Sequence, residues 1–177
     1  MLTVLTFCNR LVAQKTNEYN RIINKFENWK VKQFEQGKFA TDNNCIPDTV
    51  IKETYKGPDM GIAKDLDVSF TDINHDGKTD GLITFHPNQC DGGNALMNAQ
   101  IRVLILSTPK GYVTDDTVIN KIEQKYSTGW LMIENVSENV LYGTYYNYKK
   151  GDGHCCPSIK KKFELDYLTR QLTFTDK

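Results

Sequence analysis

Hydrophobic and polar positions follow two different periods along the chain. From Asn17 to Phe34 apolar residues recur at every third or fourth position, with charged residues between them. This spacing predicts an amphipathic helix, and Thr16 or Asn17 is a suitable residue to cap its start. From Val68 onward the apolar residues instead recur at every second position, in short runs separated by turn-forming residues. That period predicts strands joined by hairpins.

The strand pattern covers most of the chain after the helix. Ile101–Leu106 is the most apolar run, which predicts a central strand, and residues 115–126 fit either a helix or a strand. The remaining predicted strands are Thr49–Tyr55, the two arms of 68–85, Trp130–Ile133, Val140–Tyr148, 159–167 and a last one carrying Leu172 and Phe174. The sequence therefore predicts an α+β fold, with an N-terminal amphipathic helix packed on a largely antiparallel β-sheet built of hairpins.

Length and charge narrow the class of protein. The chain has 177 residues, enough for one domain with a full core, and 39% of them are hydrophobic. Lys and Arg number 22, as do Asp and Glu, so there is no overall field that attracts nucleic acid. No apolar run approaches the roughly 20 residues that a transmembrane helix needs. We therefore expect neither a nucleic-acid partner nor a membrane span.

The chain begins with a short apolar segment, residues 1–8, and Leu11-Val-Ala13 follows it. This resembles the hydrophobic part and the small-residue cleavage site of a secretory signal, with cutting after Ala13. No basic residue precedes the apolar run, which suggests that the signal is truncated at its start. We expect an exported protein, periplasmic or extracellular, whose single α+β domain spans residues 14–177.

The nine residues 72–80, DINHDGKTD, form the connection within the predicted hairpin. Oxygen-bearing side chains occupy the first, third, fifth and ninth places and a glycine the sixth, which is how a short loop surrounds a hard cation. The predicted Ca²⁺ ligands are the side chains of Asp72, Asn74, Asp76 and Asp80 and the backbone carbonyl of Lys78. Further carboxylates are available from Asp65, Asp67 and Asp91.

The loop fits neither an EF-hand nor a propeller repeat. An EF-hand needs a bidentate Glu at the twelfth place and a helix on each side, but Ile83 stands there and both flanks are strand-like. The loop also occurs once, so the propeller folds that repeat such loops do not apply. A tight Asp/Asn/Gly turn without an ion remains the alternative, because these residues favour turns by themselves.

The cysteines fit an exported domain. Removal of Cys8 with the signal leaves four, an even number, which predicts two disulfides with three connectivities open. Zinc binding through His86 and His154 with neighbouring cysteines is an alternative, although the spacing matches no standard zinc module. Redox catalysis is another, but the Cys-x-x-Cys motif is absent. The disulfide candidates are Cys45, Cys90, Cys155 and Cys156.

Three stretches together carry a resemblance to known proteins. They are the 72–80 loop, Gln89–Asn94 (QCDGGN) and Gly151–Pro157 (GDGHCCP). The chain resembles small exported bacterial proteins of unknown function in which a DxNxDGxxD hairpin comes first and a CCPS segment precedes the last strands. The resemblance spans roughly residues 68–174. It implies an α+β fold and export, and it brings no catalytic residues.

We therefore expect an exported, disulfide-bonded, Ca²⁺-stabilised domain that binds a partner or serves a structural role. The Tyr-rich strand 142–148 indicates a binding surface for a protein or glycan ligand, although aromatic packing within a sheet explains it as well. No catalytic or cofactor-binding residue is predicted, since phosphate-loop and His-Glu-x-x-His motifs are absent. A hydrolase that uses the ion or the His154 region, or a small periplasmic inhibitor, is the alternative.

Overall fold

The structure is a computed structural model, which describes residues 3–36, 66–85, 100–115, 117–126, 129–153 and 156–175. Of residues 3–14 and of Phe34 it describes the backbone alone. The predicted strand Thr49–Tyr55 lies outside the described residues. No helix in the described ranges is both long enough and apolar enough to cross a membrane.

Among the described residues, one helix precedes the strands. Helix α1 runs from Thr3 to Glu35, so it contains the predicted 17–34 helix and begins before it. The backbone is helical on both sides of Ala13. Cleavage at that position stays a prediction. On its packed face, Ile22, Phe26 and Trp29 are buried.

The first sheet has the order β1-β2-β3-β4, and every neighbouring pair is antiparallel. The predicted hairpin is confirmed: in register, Thr71 pairs with Asp80 next to the connecting loop. β3 is an interior strand, as its apolar sequence predicts. The strands are β1 (Asp67–Thr71), β2 (Asp80–Phe85), β3 (Ile101–Thr108) and β4 (Gly111–Asp115).

The ambiguous segment after β4 is helical. Helix α2 runs from Val118 to Glu123 and continues as a 3₁₀ turn over Gln124–Tyr126. The β-branched residues that made this segment ambiguous, Val118, Ile119 and Ile122, are the buried ones. The preference of β-branched residues for strands is modest. Burial of these three side chains in the core between the sheets outweighs it, and the segment is a helix.

The second sheet has the order β5-β6-β7-β8 and is also antiparallel throughout. Its strands are close to those predicted, with a β-bulge between Ile133 and Asn135 that extends the first of them. They are β5 (Trp130–Ser137), β6 (Val140–Asn147), β7 (Ile159–Asp166) and β8 (Gln171–Thr175).

The helix and the two sheets form three layers with two cores. One core lies between α1 and the first sheet and contains Phe26 and Trp29 with Phe85, Val103 and Ile105. The other lies between the two sheets and includes, from the first, Leu82, Leu104 and Leu106, and, from the second, Leu131, Ile133, Leu141, Tyr145, Phe163 and Leu165. The predicted α+β class and antiparallel pairing are confirmed, but the strands form two stacked sheets where one was expected.

Glycine lets the helix approach the first sheet closely. A Cβ atom on Gly81 in β2 would lie 2.5 Å from the Cγ2 methyl of Ile22 on α1. Because Ile22 is β-branched and completely buried, its methyl group cannot swing away. Gly81 is therefore a point of contact between helix and sheet.

Side chains from the start of β3 and from the end of helix α2 cover part of the edge of β5. The Gln100 amide bonds both backbone groups of Ile133, at 2.9 and 2.8 Å. Arg102 donates to the Leu131 carbonyl at 2.6 Å, and Glu123 accepts from the Leu131 N–H at the same distance. An uncovered strand edge invites pairing with another chain. These bonds satisfy that edge and join the two sheets.

Candidate metal-binding loop

The loop from residue 72 to residue 80 joins β1 to β2 and is held by its own backbone amides. The N–H of Asp76 donates to the Asp72 Oδ1 and to the Asn74 Oδ1, both at 3.0 Å. The N–H of Gly77 donates to the Asp72 Oδ2 at 2.8 Å, and that of Lys78 to the Asp76 Oδ1 at 3.0 Å. Since Asp72 and Asn74 share one donor, their oxygens lie on the same side of the loop.

Asp80 is the most enclosed member of the loop, with no exposed surface. Its Oδ2 accepts from the N–H groups of Ile73 and Asn74, at 2.9 and 3.0 Å, and its Oδ1 from Ser107 at 2.6 Å. The pKa of Asp80 is raised, mainly by burial. The three N–H bonds lower this pKa in part, and the negative charge of Asp76 raises it further. Asp80 therefore closes the loop onto β3 as a buried acceptor.

Ser107, near the end of β3, forms hydrogen bonds with three residues of the loop. Its carbonyl accepts from the Asn74 amide at 2.9 Å, its hydroxyl donates to the Asp76 Oδ2, and its N–H donates to Asp80. It is 3% exposed. Thus Ser107 brings together three of the five predicted ligands. Sequence reasoning missed it because its partners lie 27 to 33 positions away.

The loop also contacts α1 and β4. The Thr79 N–H donates to the Glu18 Oε2 of α1 at 3.4 Å, and the Tyr112 hydroxyl of β4 donates to the Thr79 carbonyl at 3.0 Å. Burial, followed by the negative charges of Glu18 and Asp80, raises the pKa of Tyr112. The loop is therefore a junction of the helix, the β1–β2 hairpin and the β3–β4 hairpin.

Two residues give the loop its turn. Gly77 has a φ of 83° and His75 a φ of 57°, both in the left-handed region. Glycine adopts this region without steric cost, whereas histidine does so uncommonly. The predicted role of Gly77 in the turn is confirmed. His75 is exposed, as expected from the alternation.

The donor set is chemically suited to a hard cation, since all the side-chain ligands offer oxygen. Each carboxylate oxygen has a second lone pair beyond the one that an amide N–H uses. Within the described ranges, however, no group of three or more His, Cys, Asp or Glu side chains is arranged to hold a metal. The bonds to Ser107 bring Asp76 and Asp80 together, while Asp72 is bonded to the backbone of the turn.

The additional donors do not complete this site. Asp67 begins β1 at the end away from the loop, about 16 Å along the strand from Asp72 at roughly 3.3 Å per residue. Its candidacy as an extra ligand was wrong for that reason. Asp65 and Asp91 lie outside the described residues. The backbone N–H of Lys78 contacts Asp76, and the role of its carbonyl stays a prediction.

The cysteine-rich segment is described in part. Cys156 is exposed and its N–H donates to the Gly153 carbonyl at 2.9 Å, within the turn between β6 and β7. Asp152 organises this turn by accepting from the N–H groups of Lys149 and Ser158, at 2.7 and 2.9 Å. The other disulfide and zinc candidates, Cys45, Cys90, Cys155, His86 and His154, lie outside the described residues.

The Tyr-rich strand divides between two faces of the second sheet. Tyr145 is buried in the core between the sheets. Tyr146 lies on the outer face, stacked on Trp130 of β5 with ring centres 5.6 Å apart, and Trp130 also contacts Tyr148. Aromatic packing therefore accounts for tyrosines on both faces of the sheet, and a binding role for the outer ones stays a prediction.

Comparison with known proteins adds no relative. No protein-family model, no characterised protein and no solved structure matches the chain. The resemblance to exported bacterial proteins with a CCPS segment stays an interpretation of its motifs.

Proposed function

We propose that this chain is an exported, disulfide-bonded binding or structural domain, stabilised by Ca²⁺ at the 72–80 loop. The observation that carries the proposal is the gathering of the loop's oxygens. Asp76 and Asp80 meet at Ser107, while Asp72 and Asn74 share the N–H of Asp76. Carboxylates held this close repel one another, and a divalent cation would relieve the repulsion.

A structural role for the ion is supported by what the loop touches. Glu18 on α1, Ser107 on β3 and Tyr112 on β4 all bond to it. A cation that rigidifies the loop would therefore stabilise three elements at once. None of these contacts belongs to a helix pair that opens on binding. We therefore propose that the ion stabilises the fold and does not act as a conformational switch.

The disulfide part of the proposal is supported at Cys156, which is not a free thiol. Counting thiols on unfolded, unreduced protein tests it. We expect no reactive thiol among Cys45, Cys90, Cys155 and Cys156. Four free thiols would overturn the disulfides and favour the zinc alternative. The hydrolase and inhibitor alternatives stay predictions, because His86 and His154 lie outside the described residues.

Calcium dependence of thermal unfolding tests the ion. A ligand present at 100 times its Kd stabilises a protein by about 2.7 kcal/mol. For a domain of this size that corresponds to a Tm shift of about 5–10 °C. We expect a shift of this size between saturating Ca²⁺ and excess chelator, and a smaller one with Mg²⁺, which demands a stricter geometry.

Two matched substitutions locate the effect. Asp76→Asn keeps an oxygen for the Lys78 N–H and a donor for Ser107, and it removes one ligand charge. We expect it to abolish most of the calcium shift. Asp67→Asn, at the far end of β1, should leave the shift unchanged. An unchanged Tm on chelation, or equal shifts in both variants, would show that the loop holds no calcium.

A further inference from the structure

The outer face of the second sheet carries a cavity that the loop does not involve. Its volume is about 350 Å³, within the range of small-ligand sites. Two cross-strand rows form it: Tyr146 pairs with Lys160, and Thr144 with Lys162. Its lining is contributed by Glu134, Thr144, Tyr146, Lys160–Lys162 and Thr175.

The floor of the cavity is a hydrogen-bonded triad. The Lys162 ammonium donates to both oxygens of Glu134, at 2.9 and 2.8 Å, and to the Thr144 hydroxyl at 2.8 Å. The Thr144 hydroxyl in turn donates to Glu134 at 2.6 Å. Burial raises the pKa of Glu134, but the bonds from Lys162 and Thr144 outweigh it and leave this pKa lowered. The floor is thus neutral overall, fixed in place, and rich in oxygen acceptors.

Lys160 adds an unbalanced positive charge beside this floor. Its ammonium lies 5.7 Å from the centre of the Tyr146 ring. The salt bridges among the described residues join Lys30 to Glu27, Arg102 to Glu123 and Lys162 to Glu134, so Lys160 has no carboxylate partner there. An ammonium placed over a ring and beside a neutral floor favours an anionic ligand.

The same end of the β6–β7 hairpin adds further positive charge. β6 and β7 meet at the Asn147–Ile159 pair, one position from Tyr146 and Lys160. Lys149 and Lys150 follow directly and are exposed. Backbone N–H groups hold the pKa of Asp152 in this turn below the usual range, so Asp152 is ionised and balances one of these two positive charges. The cavity therefore opens beside a basic turn in a chain whose net charge is zero.

The aromatic side chains beside the cavity indicate which class of anion it can bind. Tyr146 lies between Trp130 on β5 and Lys160 on β7, so both its faces are occupied and no base can stack on it. A peptide that adds a strand pairs with an open sheet edge, whereas this cavity lies on the outer face of the sheet, from Glu134 of β5 to Thr175 of β8. Ring edges, oxygen acceptors and the Lys160 ammonium, which has no carboxylate partner among the described residues, together suit a hydroxyl-rich ligand that carries a carboxylate.

We propose that this cavity binds an acidic glycan, with Lys160 contacting a sugar carboxylate and Glu134 accepting from sugar hydroxyls. The Thr175 hydroxyl, opposite Lys162 and without a hydrogen-bond partner among the described residues, supplies a further donor. The inference rests on the proposal that this chain is a binding domain, and it names the class of ligand.

Isothermal titration with tri-galacturonate tests the inference, and its methyl ester is the matched ligand control because it keeps the sugar rings and loses the charge. We expect the acid to bind and the ester to bind at least tenfold more weakly. Lys160→Gln should weaken binding of the acid about tenfold, the loss of roughly one charged hydrogen bond. Lys110→Gln, an exposed lysine on the β3–β4 turn of the other sheet, should leave it unchanged.

Three results would overturn the inference. They are the absence of binding, equal binding of acid and ester, and equal losses in the two lysine variants. Single-stranded DNA of similar charge that binds as tightly would also overturn it, in favour of a nonspecific polyanion surface. If unfolding depends on calcium but tri-galacturonate does not bind, the glycan inference fails while the proposed calcium-stabilised domain stands.

Discussion

The two sheets differ in how many of their faces are covered. In the first sheet, β2 is buried along its whole length, with α1 on one face and the second sheet on the other. In the second sheet, Phe163 and Leu165 of β7 are buried, but Lys160, Lys162 and Glu164 between and beside them are exposed. A strand covered on both faces has little freedom to vary, whereas a half-covered strand can carry a surface.

This difference separates the proposed structural role from the proposed binding role. The first sheet holds the 72–80 loop, whose oxygens are bonded to backbone amides and to Ser107. The second sheet presents the cavity around Lys160, whose ammonium has no acidic partner in the part of the chain described. Substitutions on the covered faces should therefore cost stability, and those on the exposed face should cost binding.

The largest expected effect comes from Phe163→Ala, in the core between the sheets. Phe163 is 1% exposed, and truncating a buried Phe costs about 3–5 kcal/mol. Phe26→Ala, equally buried between α1 and the first sheet, should cost a similar amount. Urea unfolding, followed by circular dichroism, measures both free energies of unfolding.

Tyr146→Ala is the comparison on the exposed face. It removes the stacking on Trp130 and should cost no more than about 1.5 kcal/mol. If Tyr146→Ala proved as destabilising as Phe163→Ala, the distinction between covered and exposed faces would be lost. A Phe26→Ala variant that loses α1 protection in hydrogen exchange but keeps both sheets would show that the helix layer unfolds separately.

An intermediate effect is expected from Asp80→Asn at the loop. The amide has one oxygen where the carboxylate has two, so at least one buried N–H of Ile73, Asn74 or Ser107 loses its acceptor. A buried unsatisfied donor costs about 1–3 kcal/mol. Unfolding in chelator at pH 7 isolates this cost from calcium binding.

The pH dependence of this variant has a definite sign. Because burial raises the pKa of Asp80, the folded protein takes up a proton here more readily than the unfolded chain. The wild type therefore gains stability relative to Asp80→Asn as the pH falls from neutral through the raised pKa. A difference between the two proteins that shrinks on acidification would contradict the burial of an ionisable Asp80.

The smallest effect is expected from Glu134→Gln on the exposed face. The Lys162–Glu134 side chains are 55% and 45% exposed, and such a pair contributes at most about 1 kcal/mol. Because hydrogen bonds from Lys162 and Thr144 lower the pKa of Glu134, this contribution is present at neutral pH and is lost as the pH falls through that lowered pKa. Urea unfolding at pH 7 and at pH 3 measures the change.

Glu164→Gln, on β7 two positions from Lys162, is the control for this substitution. Glu164 is exposed like Glu134, and no bond joins its side chain to another described residue. Its stability should change by less than about 0.5 kcal/mol at either pH. A Glu164→Gln effect equal to that of Glu134→Gln would mean that the triad with Thr144 and Lys162 contributes nothing specific.

Local sequence patterns predicted the strands and helices well where one face of the element is buried and the other is exposed to solvent. The alternation in 159–166 and the Asp/Asn/Gly turn at 72–80 gave a strand and a hairpin in the correct places. β4 was not predicted, because Gly111–Asp115 is mostly polar and none of its residues is fully buried. Residues 115–126 were ambiguous for the reason that their burial depends on both sheets.

What the sequence by itself determined is the α+β class, the hairpin and the oxygen-rich loop, since each depends on residues close together in the chain. Only the tertiary structure decided that the strands divide into two stacked sheets, because either face of an apolar strand can be covered by a helix or by another sheet. It also decided that Ser107 gathers Asn74, Asp76 and Asp80, and that Lys160 stands beside the Glu134–Thr144–Lys162 triad. These contacts join residues 14 to 33 positions apart, a separation over which local periodicity carries no information.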